Sequence, residues 1–225
     1  VTVNALPTPS ITGPTIACKN SSVTLTAAGG TSYVWSTGET TQSITPIIYS
    51  TTTYTVTVKN ANNCEATTTH TVTMNPAPTA TIAGDLDICV GQTTTLTASG
   101  GASYKWLHGP TTASITVSPA ATTTYEVEVT DANGCKATAT STVVVNPLPT
   151  AAITGDSEVC EGSSVQLTAT GGVSYLWTPG NMTSQTVDVS PTVNTVYSVV
   201  VTGNGGCTAT ANHAVTVKQI VGLGI

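Results

Sequence analysis

GGASYKW, at residues 100–106, is the stretch that decides the fold, because close copies stand at residues 29–35 (GGTSYVW) and 171–177 (GGVSYLW). Residues two positions apart on a strand share a face, so each Tyr points the same way as its Trp. The residue between the two aromatics differs from copy to copy: Val34, Lys105 and Leu176. An unpaired Lys is rarely buried, so its face is predicted to be solvent and the Tyr–Trp face to be core. The alternative is an exposed aromatic platform for sugars.

The three copies belong to tandem repeats of about 71 residues. The proline-rich joints NALPTPSITG, NPAPTATIAG and NPLPTAAITG mark their boundaries. Two prolines within four residues fix φ and remove donors, which favours a short, stiff, extended linker. We expect repeat 1 at residues 5–75, repeat 2 at 76–146 and repeat 3 at 147–218. Residues 1–4 match the last strand of a preceding repeat, which suggests the C-terminal part of a longer array, and residues 219–225 form a C-terminal tail.

Strand signals fill each repeat. Residues 21–27, SSVTLTA, alternate strictly, with Val23, Leu25 and Ala27 on one face. Asn, Asp and Gly, which tolerate positive φ, stand in the turns KNANN, TDANG and TGNGG. Six or seven short strands with such turns predict an all-β chain of three tandem Ig-like β-sandwich domains, joined by short Pro-rich linkers in an extended rod.

Composition excludes several classes of partner. The formal charge is −6, with five basic residues that do not cluster. Phosphate binding needs clustered basic side chains, so nucleic acid is not expected. No apolar run approaches the roughly 18 residues of a membrane span, and membrane insertion is not expected either.

The six cysteines occur as one regularly placed pair per repeat, which implies oxidising surroundings. Each domain should stabilise its own core, so we expect bridges within repeats: Cys18–Cys64, Cys89–Cys135 and Cys160–Cys207. Closing such a loop stabilises a fold by about 3–4 kcal/mol in the chain-entropy model. The alternative, a metal site, usually needs close CxxC pairs or added His, and neither occurs.

Residues with chemical potential are few. No catalytic motif occurs, so we expect no enzyme, no catalytic residue and no cofactor. Glu126 and Glu128 share a strand face, but the other repeats have no acids there. Calcium at the second and third joints is a weak alternative to the expected absence of metal, with the candidates Asp85, Asp87, Asp156 and Glu158. The expected structural aromatics are the core tryptophans Trp35, Trp106 and Trp177 and the corner tyrosines Tyr54, Tyr125 and Tyr197.

The strings VCEGSSVQLTATGG, VSPAATTTYEVEVTDANGC and VVVNPLPT, together with their counterparts along the chain, resemble the Ig-like and PKD-like repeats of very large surface proteins of Bacteroidota. The resemblance implies a secreted adhesin or filament at the cell surface, exported by type IX secretion and similar to gliding-motility adhesins. It also implies that the tail VTVKQIVGLGI precedes a C-terminal sorting domain. No adhesive tip is visible in the sequence.

These observations predict the stalk or filament region of an extracellular bacterial surface adhesin, which transmits force and displays or spaces a binding tip. Its partners would be other repeats of the same chain or filament, with surface glycans and cell-envelope proteins as further candidates. The alternative function is a glycan- or protein-binding Ig-like module, which predicts an exposed aromatic patch in one repeat.

Overall fold

The computed structural model describes residues 3–107 and 109–219, and within them the chain is built from 21 short β-strands. Among the described residues the one helical element is a 3₁₀ turn at Asn204–Gly206, and no helix is long and apolar enough to cross a membrane. β-branched Val, Ile and Thr fill the strands because they suit a pleated, half-buried surface. Each repeat contributes seven strands that form two sheets, so the chain consists of three tandem Ig-like sandwiches.

In repeat 1, a three-stranded sheet has the order β1–β3–β5 and a four-stranded sheet the order β2–β7–β6–β4. Neighbouring strands are antiparallel except for β2 and β7, which run parallel. The strands are β1 Ser10–Thr12, β2 Ile16–Cys18, β3 Leu25–Ala28, β4 Ser32–Trp35, β5 Ser43–Ile44, β6 Thr52–Lys59 and β7 Glu65–Asn75.

Repeats 2 and 3 have the same strand orders as repeat 1. The strands of repeat 2 are β8 Thr81–Ala83, β9 Asp87–Cys89, β10 Thr94–Ser99, β11 Ser103–Trp106, β12 Ser114–Val117, β13 Thr123–Thr130 and β14 Lys136–Asn146. Those of repeat 3 are β15 Ala152–Thr154, β16 Glu158–Cys160, β17 Val165–Thr170, β18 Ser174–Thr178, β19 Thr186–Val189, β20 Thr195–Thr202 and β21 Thr208–Lys218. In both repeats the second strand again pairs in parallel with the last.

The chain packs into two compact units whose boundary passes through repeat 2. One unit holds residues 1–82, 98–113 and 126–139, and the other holds residues 83–97, 114–125 and 140–225. The first contains the core of repeat 1, where Leu25, Trp35 and Val56 belong to one buried cluster. The second contains the core of repeat 3, where Leu167, Trp177 and Val199 do the same.

Two of the predicted end segments fall largely outside the described residues. Residues 1, 2 and 220–225 are not described, nor is His108. Of the strand predicted over residues 1–4, only Val3 and Asn4 can be assessed, and neither lies in a strand. Of the tail predicted over residues 219–225, only Gln219 is described.

Candidate functional site: the disulfide-bridged joints

Two disulfides connect consecutive repeats. Cys18 of repeat 1 is bonded to Cys135 of repeat 2, with 5.5 Å between their Cα atoms. Cys89 of repeat 2 is bonded to Cys207 of repeat 3, with 5.6 Å between theirs. Both separations lie in the ordinary range for a disulfide. One bridge ties repeat 1 to repeat 2 and the other ties repeat 2 to repeat 3, so each repeat is covalently connected to the next.

The predicted pairing within repeats, Cys18–Cys64, Cys89–Cys135 and Cys160–Cys207, is therefore wrong. The reason is the parallel pairing of β2 with β7, which places Cys18 opposite Asn75, the last residue of β7. Cys64 immediately precedes the first residue of β7, so eleven residues of strand separate the two levels. At the rise of an extended strand this is about 35 Å, far beyond the roughly 7 Å that a disulfide can span.

The first half of each bridge is a cysteine that ends the second strand of its repeat. Cys18 is held by two backbone hydrogen bonds around it: Lys19 N donates to Asn75 O at 2.8 Å, and Ser21 N donates to Cys18 O at 3.1 Å. The corresponding bonds in repeat 2 run from Val90 N to Asn146 O at 2.9 Å and from Gln92 N to Cys89 O at 3.0 Å. The pairing with the last strand therefore fixes the backbone that carries the sulfur.

The second half is a cysteine at the end of the hairpin turn between the sixth and seventh strands. In repeat 2 the carboxylate of Asp131 accepts hydrogen bonds from Asn133 N at 2.8 Å and from Cys135 N at 2.9 Å. Asp131 N donates to Cys135 O at 2.9 Å, which closes the turn. An Asx side chain at this position thus organises the loop that presents the thiol.

In repeat 3 the same turn contains the 3₁₀ segment and lies against the preceding joint. The Sγ of Cys207 lies 3.9 Å from the carbonyl oxygen of Asn146. A Cβ on Gly205, whose φ is +70°, would overlap the side chain of Asn146. Glycine suits this backbone conformation, and the side chain of Asn146 would have to move to admit a Cβ.

The repeated aromatics serve the fold. Trp35, Trp106 and Trp177 are 2%, 3% and 0% exposed, whereas Val34 and Leu176, on the other face, are each 46% exposed. The indole Nε1 groups donate to carbonyl oxygens at 2.9–3.0 Å, from Trp35 to Thr41, Trp106 to Thr112 and Trp177 to Ser184. Every polar atom of the buried ring is thereby satisfied, which leaves no exposed indole as a sugar platform.

The tyrosines of these motifs close the turn that precedes them. Their hydroxyls donate to a glycine carbonyl oxygen three residues earlier, at 2.9–3.0 Å: Tyr33 to Gly30, Tyr104 to Gly101 and Tyr175 to Gly172. The corner tyrosines Tyr54 and Tyr197 are buried and Tyr125 is half-buried. Burial raises the pKa of the Tyr197 phenol.

Three of the four calcium candidates, Asp85, Asp87 and Glu158, use their carboxylates in other contacts, whereas Asp156 is contacted at its backbone oxygen. Asp85 caps the local backbone by accepting from Asp87 N at 3.2 Å, and Asp87 accepts from the side-chain amide of Asn146. Glu158 pairs with Lys218 at 3.0 Å. The backbone oxygen of Asp156 accepts from His213 Nε2 at 3.3 Å. Within the described parts of the chain, no three His, Cys, Asp or Glu side chains lie close enough together to hold a metal ion.

The acidic pair of repeat 2 borders a shallow surface depression of about 190 Å³, lined by Lys105, Leu107, Glu126, Glu128 and Thr138. Lys136 Nζ donates to Glu128 Oε1 at 2.8 Å. This hydrogen bond is the main cause that holds the pKa of the exposed Glu128 carboxyl below its ordinary value. A general acid needs the opposite shift, so this carboxylate is suited to a surface ion pair rather than to glycoside hydrolysis.

No family model matches the sequence, and no curated protein matches it. Several solved structures are similar in overall fold. A bacterial ice-binding adhesin of 1.5 MDa, described in connection with retention at the host cell surface, is 15% identical, with coverage of 97% of this chain and 100% of that one and a TM-score of 0.38. The Bacteroides ovatus mixed-linkage glucan utilization locus protein SGBP-B, solved with a mixed-linkage heptasaccharide, is 14% identical, with coverage of 97% and 72% and a TM-score of 0.23.

Murine CEACAM1b is also similar, at 14% identity, with coverage of 95% of this chain and 100% of that one and a TM-score of 0.32. At such identities and scores, none of these likenesses carries an argument about function.

Proposed function

We propose that this chain is the stalk region of an extracellular bacterial surface adhesin, in which it transmits force and spaces a binding tip. The observation that carries this proposal is the register of the disulfides, which tie Cys18 to Cys135 and Cys89 to Cys207 across successive repeats. A bridge within a domain stabilises only that domain. A bridge between domains prevents the joint from extending under load.

The environment in which these bridges persist is extracellular. Disulfides form and survive in oxidising compartments and are rare in reducing cytosol. The surface carries few charges and many hydroxyl groups. The described ion pairs are exposed, and several cross-strand contacts join Thr or Ser side chains, such as Thr53 with Thr71 at 2.8 Å and Thr124 with Thr142 at 2.8 Å. Export by type IX secretion and membership of the gliding adhesins of Bacteroidota are part of the same proposal, and they rest on the resemblance of the repeats.

The sandwich is also suited to load because its second and last strands run parallel and pair with each other. In repeat 1 this pairing is bracketed by hydrogen bonds from Thr73 N to Thr15 O and from Lys19 N to Asn75 O, both at 2.8 Å. Once the bridges are reduced, tension enters repeat 1 through β2 and leaves it through β7, so it acts along the strand axes and across the hydrogen bonds between them. In the reduced chain all the bonds of this ladder are therefore loaded together rather than one after another.

The bridges also limit how far the chain can extend. Between Cys18 and Cys207 the reduced chain offers about 190 residues of length, but the bridged path includes only the roughly 46 residues from Cys89 to Cys135. The bridges thus remove about 140 residues from the extensible length. At about 3.5 Å per residue this amounts to roughly 500 Å.

Single-molecule force spectroscopy tests the proposal. A chain held by its two ends, with Cys64 and Cys160 replaced by Ser to prevent other pairings, is pulled to full extension with and without a reductant. We expect the reductant to lengthen the fully extended chain by roughly 500 Å. Equal lengths under the two conditions would refute load-bearing by the bridges. A variant with Cys18, Cys89, Cys135 and Cys207 also replaced is the control, and its length should not respond to the reductant.

A second candidate function, the binding module, is favoured by one observation. Tyr49 in repeat 1 is 64% exposed beside Ile47, which is 50% exposed, and the other repeats have no aromatic at this position. An exposed ring of this kind can stack on a sugar. If Tyr49→Ala abolishes binding to a glycan array that the unmodified chain recognises, repeat 1 is a binding module as well.

A further inference from the structure

Two cysteines stay free, and each has a bonded counterpart in another repeat. Cys64 stands at the end of the hairpin turn of repeat 1, where Cys135 and Cys207 are bonded in repeats 2 and 3. Cys160 ends β16 in repeat 3, where Cys18 and Cys89 are bonded in repeats 1 and 2. Cys64 therefore corresponds to the hairpin-turn end of the inter-repeat bridge, and Cys160 corresponds to its strand end.

The turn that carries Cys64 has the same hydrogen bonds as the turn that carries Cys135. The side chain of Asn60 accepts from Asn62 N at 2.9 Å and from Cys64 N at 3.1 Å, in the way that Asp131 serves repeat 2. Asn60 N also donates to Cys64 O at 3.1 Å. The thiol of Cys64 is thus presented by a loop already in the conformation that forms a bridge elsewhere in the chain.

The backbone around Cys160 matches that around Cys18 and Cys89 as closely. Glu161 N donates to Lys218 O at 3.0 Å, and Ser163 N donates to Cys160 O at 3.0 Å. Cys160 pairs in register with Lys218, the last residue of β21, as Cys18 pairs with Asn75. Neither free cysteine needs a rearrangement of its backbone to become half of a bridge.

Accessibility separates the free thiols from the bonded ones. Cys135 and Cys207, the two bonded hairpin-turn cysteines, are each 1% exposed. Cys64, in the equivalent turn, is only half-buried, and Cys160 is exposed whereas Cys18 and Cys89 are half-buried. This difference in exposure indicates that a neighbouring repeat covers the cysteine at each bonded position and leaves the equivalent free cysteine open.

We propose that Cys160 and Cys64 are the two halves of a third bridge of the same kind, in which Cys160 bonds to the hairpin-turn cysteine of a following repeat and Cys64 to the strand-end cysteine of a preceding one. In two copies of this chain, Cys160 of one copy bonds to Cys64 of the next. The other source of the partner thiol for Cys160 is a further repeat of the same polypeptide, with a cysteine at the position of Cys64. The proposal extends the stalk function by naming its covalent partner, but it depends on residues other than the internal bridges.

The oxidant that the bridge requires is a disulfide, such as oxidised glutathione. The thiolate of Cys160 attacks one sulfur of the oxidant, forms a mixed disulfide and releases one glutathione thiolate. The thiolate of Cys64 then attacks the protein sulfur of the mixed disulfide and releases the second glutathione. Two cysteine thiols are oxidised by two electrons, one glutathione disulfide is reduced, and the two protons end on the released thiols.

Oxidation of the purified chain in a glutathione buffer tests the pairing. We expect a ladder of bands at multiples of 22.6 kDa on a non-reducing gel, and Cys64–Cys160 as the linked peptides by mass spectrometry. Neither Cys64→Ser nor Cys160→Ser alone should form the ladder. A mixture of the two variants should give a single dimer band, because one retains only the thiol of Cys160 and the other only that of Cys64.

Other products would overturn the proposal. Symmetric Cys64–Cys64 or Cys160–Cys160 dimers, a bridge between the two thiols of one molecule, or persistent free thiols each contradict it. The control for disulfides formed by random collision is Ser50→Cys in a chain that lacks the thiols of Cys64 and Cys160. Ser50 is exposed and does not correspond to any bridged position, so its dimer yield gives the background.

A fusion of two complete copies distinguishes the sources of the partner. Where a further repeat of the same polypeptide supplies the thiol, the fusion forms its internal bridge at any protein concentration and retains two free thiols instead of four. Where only a second molecule can supply it, bridging rises with concentration. If neither kind of bridging is observed, the proposal of a third bridge is wrong. The load-bearing role of Cys18–Cys135 and Cys89–Cys207 is unaffected by that result, because the force measurement is made without Cys64 and Cys160.

Discussion

Cys18 is bonded to Cys135, a residue 117 positions further along the chain, although Cys64 belongs to the same repeat. The bond connects the end of the second strand in one sandwich to a hairpin turn in the next. The Cys89–Cys207 bond spans the joint between repeats 2 and 3 in the same way, so a break in the backbone at either joint does not break the covalent connection between repeats.

Proteolysis within a joint tests this connection directly. A protease site introduced at residues 76–79, between repeats 1 and 2, should yield one band on a non-reducing gel after cleavage, because Cys18–Cys135 still joins the fragments. Reduction should separate them into two. Bridges confined to single repeats would release both fragments without reductant.

The matched control for cleavage is Cys135→Ser in the same protein. This variant keeps the Cys89–Cys207 bridge, which lies entirely on the C-terminal side of the cut. Its fragments should therefore separate on a non-reducing gel. Both proteins also carry Cys64→Ser and Cys160→Ser, so a control that stayed joined would mean that Cys18 had found another partner.

Removal of a bonded pair should destabilise the chain, whereas removal of the free pair should not. The Cys18–Cys135 bridge closes a loop of 117 residues, and its loss through Cys18→Ser with Cys135→Ser should lower the free energy of unfolding by about 2–5 kcal/mol. Cys64→Ser with Cys160→Ser removes two free thiols and should change it by less than about 0.5 kcal/mol. Urea denaturation of dilute protein measures both, and equal losses would contradict the assigned pairing.

The sequence was sufficient to predict the class of fold and its repetition, because both depend on local patterns. Alternation of Val23, Leu25 and Ala27 places these side chains on one face, and all three are buried. Lys105 was informative in the same way, since a charge between Tyr104 and Trp106 identifies the outer face of a strand whose Trp is buried. Each of these inferences uses only the alternation of residues along one strand and the rule that charged side chains face the solvent.

The cysteine pairing could not be predicted from spacing because it depends on which end of a sandwich each turn occupies. The short strand β2 switches sheets and pairs in parallel with β7, a contact between residues some 57 positions apart, such as Ile16 and Thr73. This puts Cys18 at the opposite end from Cys64. The one available signal was the alternation of strand directions, which places the hairpin turn and the end of the last strand at opposite ends.

The glycine pair that opens each aromatic motif should resist substitution. Gly100 has φ +103°, and a Cβ there would overlap the carbonyl oxygen of Thr79. Gly100→Ala should therefore destabilise the chain by at least about 2 kcal/mol, from backbone strain and the forced separation of the two segments. Gly109→Ala is the matched control, because open space surrounds that position. Thermal unfolding compares the two, and a similar midpoint for both variants would contradict the packing of this turn.

Alkaline pH should weaken the fold through Tyr197. Burial raises the pKa of this phenol in the folded state, so above pH 10, near the ordinary pKa of tyrosine, the unfolded chain loses its proton first. The folded state then binds more protons than the unfolded one, and the free energy of unfolding falls as pH rises. Tyr197→Phe removes this titration, so the unmodified chain should lose stability relative to the variant between about pH 9 and pH 11. Urea denaturation of both proteins, in a background lacking Cys64 and Cys160 to prevent thiol exchange, measures the difference, with Tyr49→Phe as the exposed control. A difference that stays constant over this range would show that burial of the Tyr197 hydroxyl does not oppose its ionisation.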